Sequence, residues 1–395
     1  MKNNKIKKNI LFVFLTIIII SLTCIFNYKM DPYNLFSEKE YFSLQDYPRD
    51  LIYTAIKKYK GPKLNTVLIG GSDSITMFNN HCYKDYFNLL CTGVINYDQY
   101  KDILDYYIKI NPNTKNVIII AGYSNLINNL YIPLQNLEKN TKLREFQTLY
   151  FSIKTTKDSF KILIQNIINL LNYKKESNDN IFIYDYLPNY FDSFDLTKEE
   201  IDLLEKKNIE RINNLIKFLD NKNINYTLII PPYNISYLSL IYEKKFYQEK
   251  IDNFRRYIVN IVKENTKIYD FAFVNKYTTS DISENKDALY YNNSHPSIIW
   301  GAKIHKILYN KTDKYENLYF LLNKTNVESI IRKEHLLLNE YIKNNSNKIE
   351  YFKKLYNNEN KEIFSETKKI SEYEMTEETR NEFKYLQGLY NIEDI

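Results

Sequence analysis

Five short apolar runs, four of them stopped at or near glycine or proline, constrain this chain more than any other feature. They are NTVLIGG (65–71), FNLLC (87–91, just before Gly93), NVIIIA (116–121, ending at Gly122), YTLII (226–230, ending at Pro231-Pro232) and KIYDF (267–271). Each is too short for a buried helix and has the length of a strand. Helical spacing fills the intervals at 97–110, 197–219 and 246–263, and returns at 298–308. Strand and helix alternate, and the strands are nearly continuous in apolar character. That combination predicts a parallel sheet covered by helices on both faces. The expected fold class is therefore α/β, a three-layer α/β/α sandwich. In such folds ligands sit outside the carboxyl ends of the strands.

The amino terminus adds a second constraint. Residues 10–26 read ILFVFLTIIIISLTCIF without a charge, close to the lower limit of the roughly 17–25 residues that cross a bilayer. Lys2, Lys5, Lys7 and Lys8 precede the run, so the positive-inside rule sends the bulk of the chain outward. A cleaved signal peptide is the rival reading. However, no small-x-small site follows, and the run passes into bulky Tyr28 and Met30. The expectation is a cell-membrane, single-pass signal anchor over 1–30 and an extracytoplasmic domain over 31–311. That domain opens with a lead-in carrying a helix at 49–60. It also contains an insertion at about 130–195, with a helix at 159–171 and a strand at 181–184. A charged helical extension occupies 312–395.

Charge and cysteine content exclude several functions. The formal net charge is +6, and removing the four amino-terminal lysines leaves 6 − 4 = +2. No basic stripe remains to follow a phosphate backbone, so nucleic acid is not an expected partner. Three cysteines build neither a disulfide framework nor a metal cage. No metal, cofactor or phosphate-cradling loop is expected.

Three blocks carry candidate chemistry. In VLIGGSDSIT (67–76), Ser72 follows a strand and a Gly-Gly pair. There a hydroxyl projects from the sheet edge beside amides that can hold a tetrahedral oxyanion. AGYSN (121–125) brings Ser124 and Asn125 to the same edge. YNNSHPSIIWG (291–301) offers His295 just before a helix, as a general base for the serine. Four of the chain's seven glycines (Gly70, Gly71, Gly122, Gly301) and its only tryptophan, Trp300, fall in these blocks, and a fifth glycine, Gly93, closes the second apolar run. In so glycine-poor a chain, this marks backbone that must turn tightly or approach a ligand.

The pattern resembles the SGNH (GDSL-like) hydrolase superfamily, whose domain has a flavodoxin-like sheet. It is most similar to a bacterial, membrane-anchored branch, whose "DPYxLF"-like segment corresponds to Asp31-Pro-Tyr-Asn-Leu-Phe36. The teichoic-acid D-alanyl transfer proteins and polysaccharide O-acetyltransferase partners are more distant relatives on this reading. The resemblance implies Ser72 as nucleophile and His295 as base. It places Gly71, Asp73, Gly93 and Ser124 or Asn125 around the oxyanion. Asn292 then stands where the family has an aspartate that orients the base. Asn292 can orient an imidazole but cannot stabilise its cation. Asp281 or Asp287 can substitute, a Ser-His dyad can suffice, or the site is inactive. The third block also lacks a clean Gly-x-Asn-Asp. A second registration reads Ser72 to Thr76 as a GDSIT-like motif, with Ser74 as nucleophile. Pro231-Pro232-Tyr233 either lines the pocket or merely ends a strand. His81, His305 and His335 are expected to be surface or satisfied core residues. The resemblance implies an esterase or O-acyltransferase acting on a cell-envelope polysaccharide or other acyl acceptor, with a membrane acyltransferase as a possible partner. The alternative is an inactive scaffold of the same fold that binds glycan or that partner.

Overall fold

A computed structural model describes residues 2–33, 35, 51–59, 61–75, 77–78, 85–90, 96–123, 146, 149–171, 197–243, 245–279, 290, 295–309 and 316–356. They fall into two compact units. One is formed from 1–40, 46–61 and 133–178, the other from 41–45, 62–132 and 179–395.

The larger unit holds β1 (Thr66–Ile69), α3 (Ser72–Ile75), β2 (Phe87–Asn88), α4 (Tyr97–Ile110), β3 (Asn116–Ile120), α6 (Lys198–Asn221) and β4 (Asn225–Ile230). There follow α7 (Ile235–Glu243), α8 (Lys245–Ile261), β5 (Ile268–Asp270), α9 (Ile298–Leu308), β6 (Phe320–Leu321), α10 (Val327–Asn344) and α11 (Ser346–Tyr356). The fold is α/β with a mostly parallel six-stranded sheet of order β2-β1-β3-β4-β5-β6. β1 to β5 are parallel, with Leu68 opposite Ile118, Ile119 opposite Leu228, and Ile229 opposite Tyr269. The chain steps outward from β1 to β2, then reverses to β3 on the other side of β1.

Side-chain alternation divides the strand residues between two faces. Leu68, Ile118, Ile120, Ile229 and Tyr269 form one cluster with Ile299, Trp300, Ile304 and Ile307 of α9. Val67, Ile69, Val117, Ile119, Leu228 and Ile230 point the other way and are equally buried. On that side α4 packs on α6, and α6 on β4. This double burial is why the strands read as continuous apolar runs. Local signals set the helix starts. Asn96 caps α4 through Gln99 N, and Thr197 and Glu200 form a reciprocal capping box on α6.

The charged helical extension expected from 312 onward is described over 316–356, where it contributes β6, α10 and α11. β6 pairs antiparallel with β5, with Asp270 opposite Phe320, and α10 packs on α8. Two-residue β6 and nine-residue α7 carry too little periodicity to stand out in the sequence. The expected strand at 181–184 lies outside the described residues.

The smaller unit contains α1 (Lys2–Met30), α2 (Ile52–Lys58) and α5 (Ile153–Leu171). Residues 10–30 of α1 are long and apolar enough to cross a membrane, with mean hydropathy 2.7 over the best window. Their apolar side chains are largely exposed. Asp31 ends this helix with a left-handed φ of 40°, and its carboxylate accepts from Leu35 N at 2.8 Å. The helix of the expected insertion packs on α1. Asn27, itself buried, is the hub. Its Nδ2 donates to Tyr150 O (2.8 Å) and Thr156 Oγ1 (3.1 Å), and its Oδ1 accepts from Ser159 Oγ (2.9 Å).

Candidate functional site

The carboxyl edge of the sheet is shaped first by Gly70. A Cβ there would overlap Ser74 Oγ and come within 2.8 Å of Ile120 Cβ, so only glycine lets β1 turn this close to β3. α3 begins at once with Ser72. Ser74, fully buried, donates its hydroxyl to Gly71 O at 2.6 Å and so braces the turn. The side chains of Ser72 and Asp73 lie outside the described residues, as do Gly93, Ser124, Asn125, Asn292, His81, Asp281 and Asp287.

His295 lies near the amino end of α9, whose cap is Ser297, accepting from Ile299 N at 3.3 Å. A backbone β-bridge joins Tyr290 to Pro296. His295 is buried, and desolvation pushes its pKa down to about 4. The imidazole is therefore neutral at pH 7, the state in which it can accept a proton.

The β3 and β4 ends are tied by aromatic side chains. Tyr123 N donates to Tyr233 Oη at 2.8 Å, and the two rings stack with centroids 5.2 Å apart. Tyr233 stacks in turn on Tyr237 at 4.9 Å. Of the two readings of Pro231-Pro232-Tyr233, the buried Tyr233 fits a strand-end tie better than a pocket wall.

The β5 end carries a buried charge network that the sequence did not reveal. Arg255 Nε donates to Asp270 Oδ2 (2.7 Å), Nη1 to Glu334 Oε2 (3.0 Å) and Nη2 to Ala272 O (3.0 Å). Asp252 lies 3.6 Å from the same guanidinium and 3.0 Å from His335 Nε2. Burial pushes the Glu334 and Asp252 carboxyls up, against the pull of Arg255. The ligand atoms of Asp252, Glu334 and His335 lie within 4.8 Å of one another, as a metal site requires. Arg255 already supplies the positive charge there, so the arrangement is an ion-pair clamp fastening α10 to α8 and β5. Its only hint in the sequence is Asp270 ending an otherwise apolar strand. His305 is also satisfied: fully buried, it meets Asp85 Oδ2 at 2.9 Å and makes a tilted ring contact with Tyr309 at 4.6 Å. A groove lined by Asn225, Tyr226, Lys263 and Lys267 opens at the opposite, amino-terminal edge of the sheet.

Compared with protein-family models, with curated proteins and with solved structures, the chain matches none.

Proposed function

We propose that this protein is a membrane-anchored esterase or O-acyltransferase of the SGNH type, acting at the outer face of the membrane on an acyl ester of a cell-envelope glycan. The observation that carries the reading is the β1–Gly70–Gly71–α3 turn. It delivers Ser72 to the carboxyl edge of the sheet beside the reversal between β1 and β3. In doubly wound sheets of this strand order that reversal is where ligands bind. The strand order β2-β1-β3-β4-β5 supports the reading, because the resemblance implies a flavodoxin-like sheet. Ser74 is committed to Gly71 O, which favours Ser72 as the nucleophile.

In this scheme Ser72 Oγ attacks the acyl carbon while His295 takes the hydroxyl proton. Amides at the start of α3, with Gly93 and Ser124 or Asn125, hold the oxyanion. The alkoxide leaves with the proton from His295, and water or an acceptor hydroxyl then releases the acyl group. Retention of α1 as an anchor is supported by Asn27, whose contacts cleavage nearby would strip away.

The test is turnover of a chromogenic acetyl ester by the full chain. Ser72→Ala is expected to lower it by roughly 10³-fold or more; unchanged turnover removes Ser72 from the mechanism. A second reading, an inactive glycan-binding scaffold, is favoured by Asn292 at the acid position. A base held near pKa 4 is weak, and a carboxylate beside it would raise its basicity. Asn292→Asp therefore raises turnover if the protein is an enzyme. Silence in both forms, with glycan binding intact, supports the scaffold.

A further inference from the structure

Helix α5 presents three different stripes around its circumference. Thr155 and Ser159 are buried, the latter bonded to Asn27 of α1. Ile153, Phe160, Ile164 and Ile167 are exposed by 79%, 52%, 54% and 46%. At 100° per residue these four fall on a single stripe. Lys154, Lys157 and Lys161 form a second exposed stripe beside it. From Ile162 to Leu171 the helix carries no charge at all. An apolar stripe of this kind costs free energy against water, and Phe160 stays half exposed even where it meets Phe26 of α1.

The pairing with α1 gives the direction. Tyr28 meets Tyr150, Asn27 meets Thr156 and Ser159, and Phe26 meets Phe160 at 4.9 Å. Rising numbers on α5 thus meet falling numbers on α1, so the uncharged half of α5 heads back along the apolar helix. Between residues 10 and 26 of α1, the side chains that are not exposed are Ile20, Thr23, Cys24 and Phe26, near that same end.

We propose that α5 is a second lipid-contacting helix, inserted shallowly into the bilayer beside α1. Its isoleucine-phenylalanine stripe meets acyl chains, and its three lysines meet the phosphates of anionic headgroups. The proposal rests on α1 being a membrane helix, and goes beyond it by extending the lipid-facing surface of α1 onto a second element. Charge order supports a lipid occupant: the lysines occupy the first half of α5, where it meets the end of the membrane helix, and disappear where it would go deeper. Asn166 is also exposed, which limits the helix to partial entry.

The test uses the full chain with Cys24, Cys82 and Cys91 replaced by alanine. One cysteine at a time is added as Ile17→Cys, Ile164→Cys or Leu203→Cys and labelled with an environment-sensitive fluorophore. The protein is reconstituted in phosphatidylcholine–phosphatidylglycerol vesicles with or without brominated acyl chains. The expected result is clear quenching at both 17 and 164 and none at 203, which is 68% exposed on α6. Quenching at 17 with 164 behaving like 203 overturns the inference and leaves the anchor standing. Absence of quenching at 17 overturns the anchor itself. Changing Lys154, Lys157 and Lys161 together to Gln, or omitting phosphatidylglycerol, is expected to reduce quenching at 164. Unchanged quenching overturns the assignment of the lysines to headgroups.

Discussion

Two consecutive arginines on α8 give a sharp contrast in energetics. The Arg255 side chain is 1% exposed, and its partners Asp270 and Glu334 are 0% and 3% exposed. Arg256 makes two hydrogen bonds to Glu328, at 2.6 and 3.2 Å, with both side chains substantially in water. Removing one partner from a buried pair leaves uncompensated charge and costs about 3–5 kcal/mol, whereas an exposed pair contributes about 0.2–1 kcal/mol. Arg255→Met is therefore expected to lower the melting temperature by roughly 6–20 °C, and Arg256→Met by less than about 4 °C, at about 2–4 °C per kcal/mol. The assay is calorimetric or near-ultraviolet unfolding of the full chain in detergent. The pH dependence adds a second check. Without Arg255, the Glu334 and Asp252 carboxyls lose the cation that holds them down, so their folded pKa values rise further above the unfolded ones. The folded variant then binds more protons than the unfolded chain. Its deficit against the parent shrinks as pH falls from 8 toward 5. Equal losses for the two arginines, or a deficit that grows on acidification, would refute the reasoning.

Gly70→Ala forces a methyl group into Ser74 and Ile120, and is expected to cost about 1–3 kcal/mol in unfolding free energy. Because the same turn carries Ser72, the proposed esterase turnover, measured at a temperature where the variant is folded, should fall as well. His295 titrates near 6.5 when unfolded and at about 4 when folded, so its contribution is fully present above pH 6.5 and is lost as pH falls toward 4. The loss reaches about 3 kcal/mol at 1.36 kcal/mol per unit. Denaturant unfolding of His295→Gln across that window should show a correspondingly flatter pH profile.

The parts of the fold that follow from local pattern were readable in the sequence. β1, β3 and β4 are long enough, and buried enough on both faces, to leave apolar runs that glycine or proline ends. α4 and α6 announce themselves through Asn96 and the Thr197–Glu200 box. What depended on distant pairing was hidden. β6 has two residues, and its partner β5 lies about fifty residues earlier, so no periodicity marks it. Nothing in the α5 sequence shows that Asn27 is its hydrogen-bonding hub, because the two are separated by more than a hundred residues. The same holds for Glu334, whose partner Arg255 is 79 positions away. The edge position of the Gly70–Ser72 turn was legible because the steric demand is local: a strand end, two glycines, then a helix. Ser74, a rival nucleophile on sequence alone, is distinguished only by its burial and its bond to Gly71 O.

The most direct test of the central claim is covalent labelling of the full-length protein by a serine-reactive fluorophosphonate, read by intact mass and peptide mapping. A single adduct on Ser72 is expected, absent in Ser72→Ala and strongly slowed in His295→Gln. An adduct that persists in Ser72→Ala, or a folded parent protein that takes none, would contradict that claim.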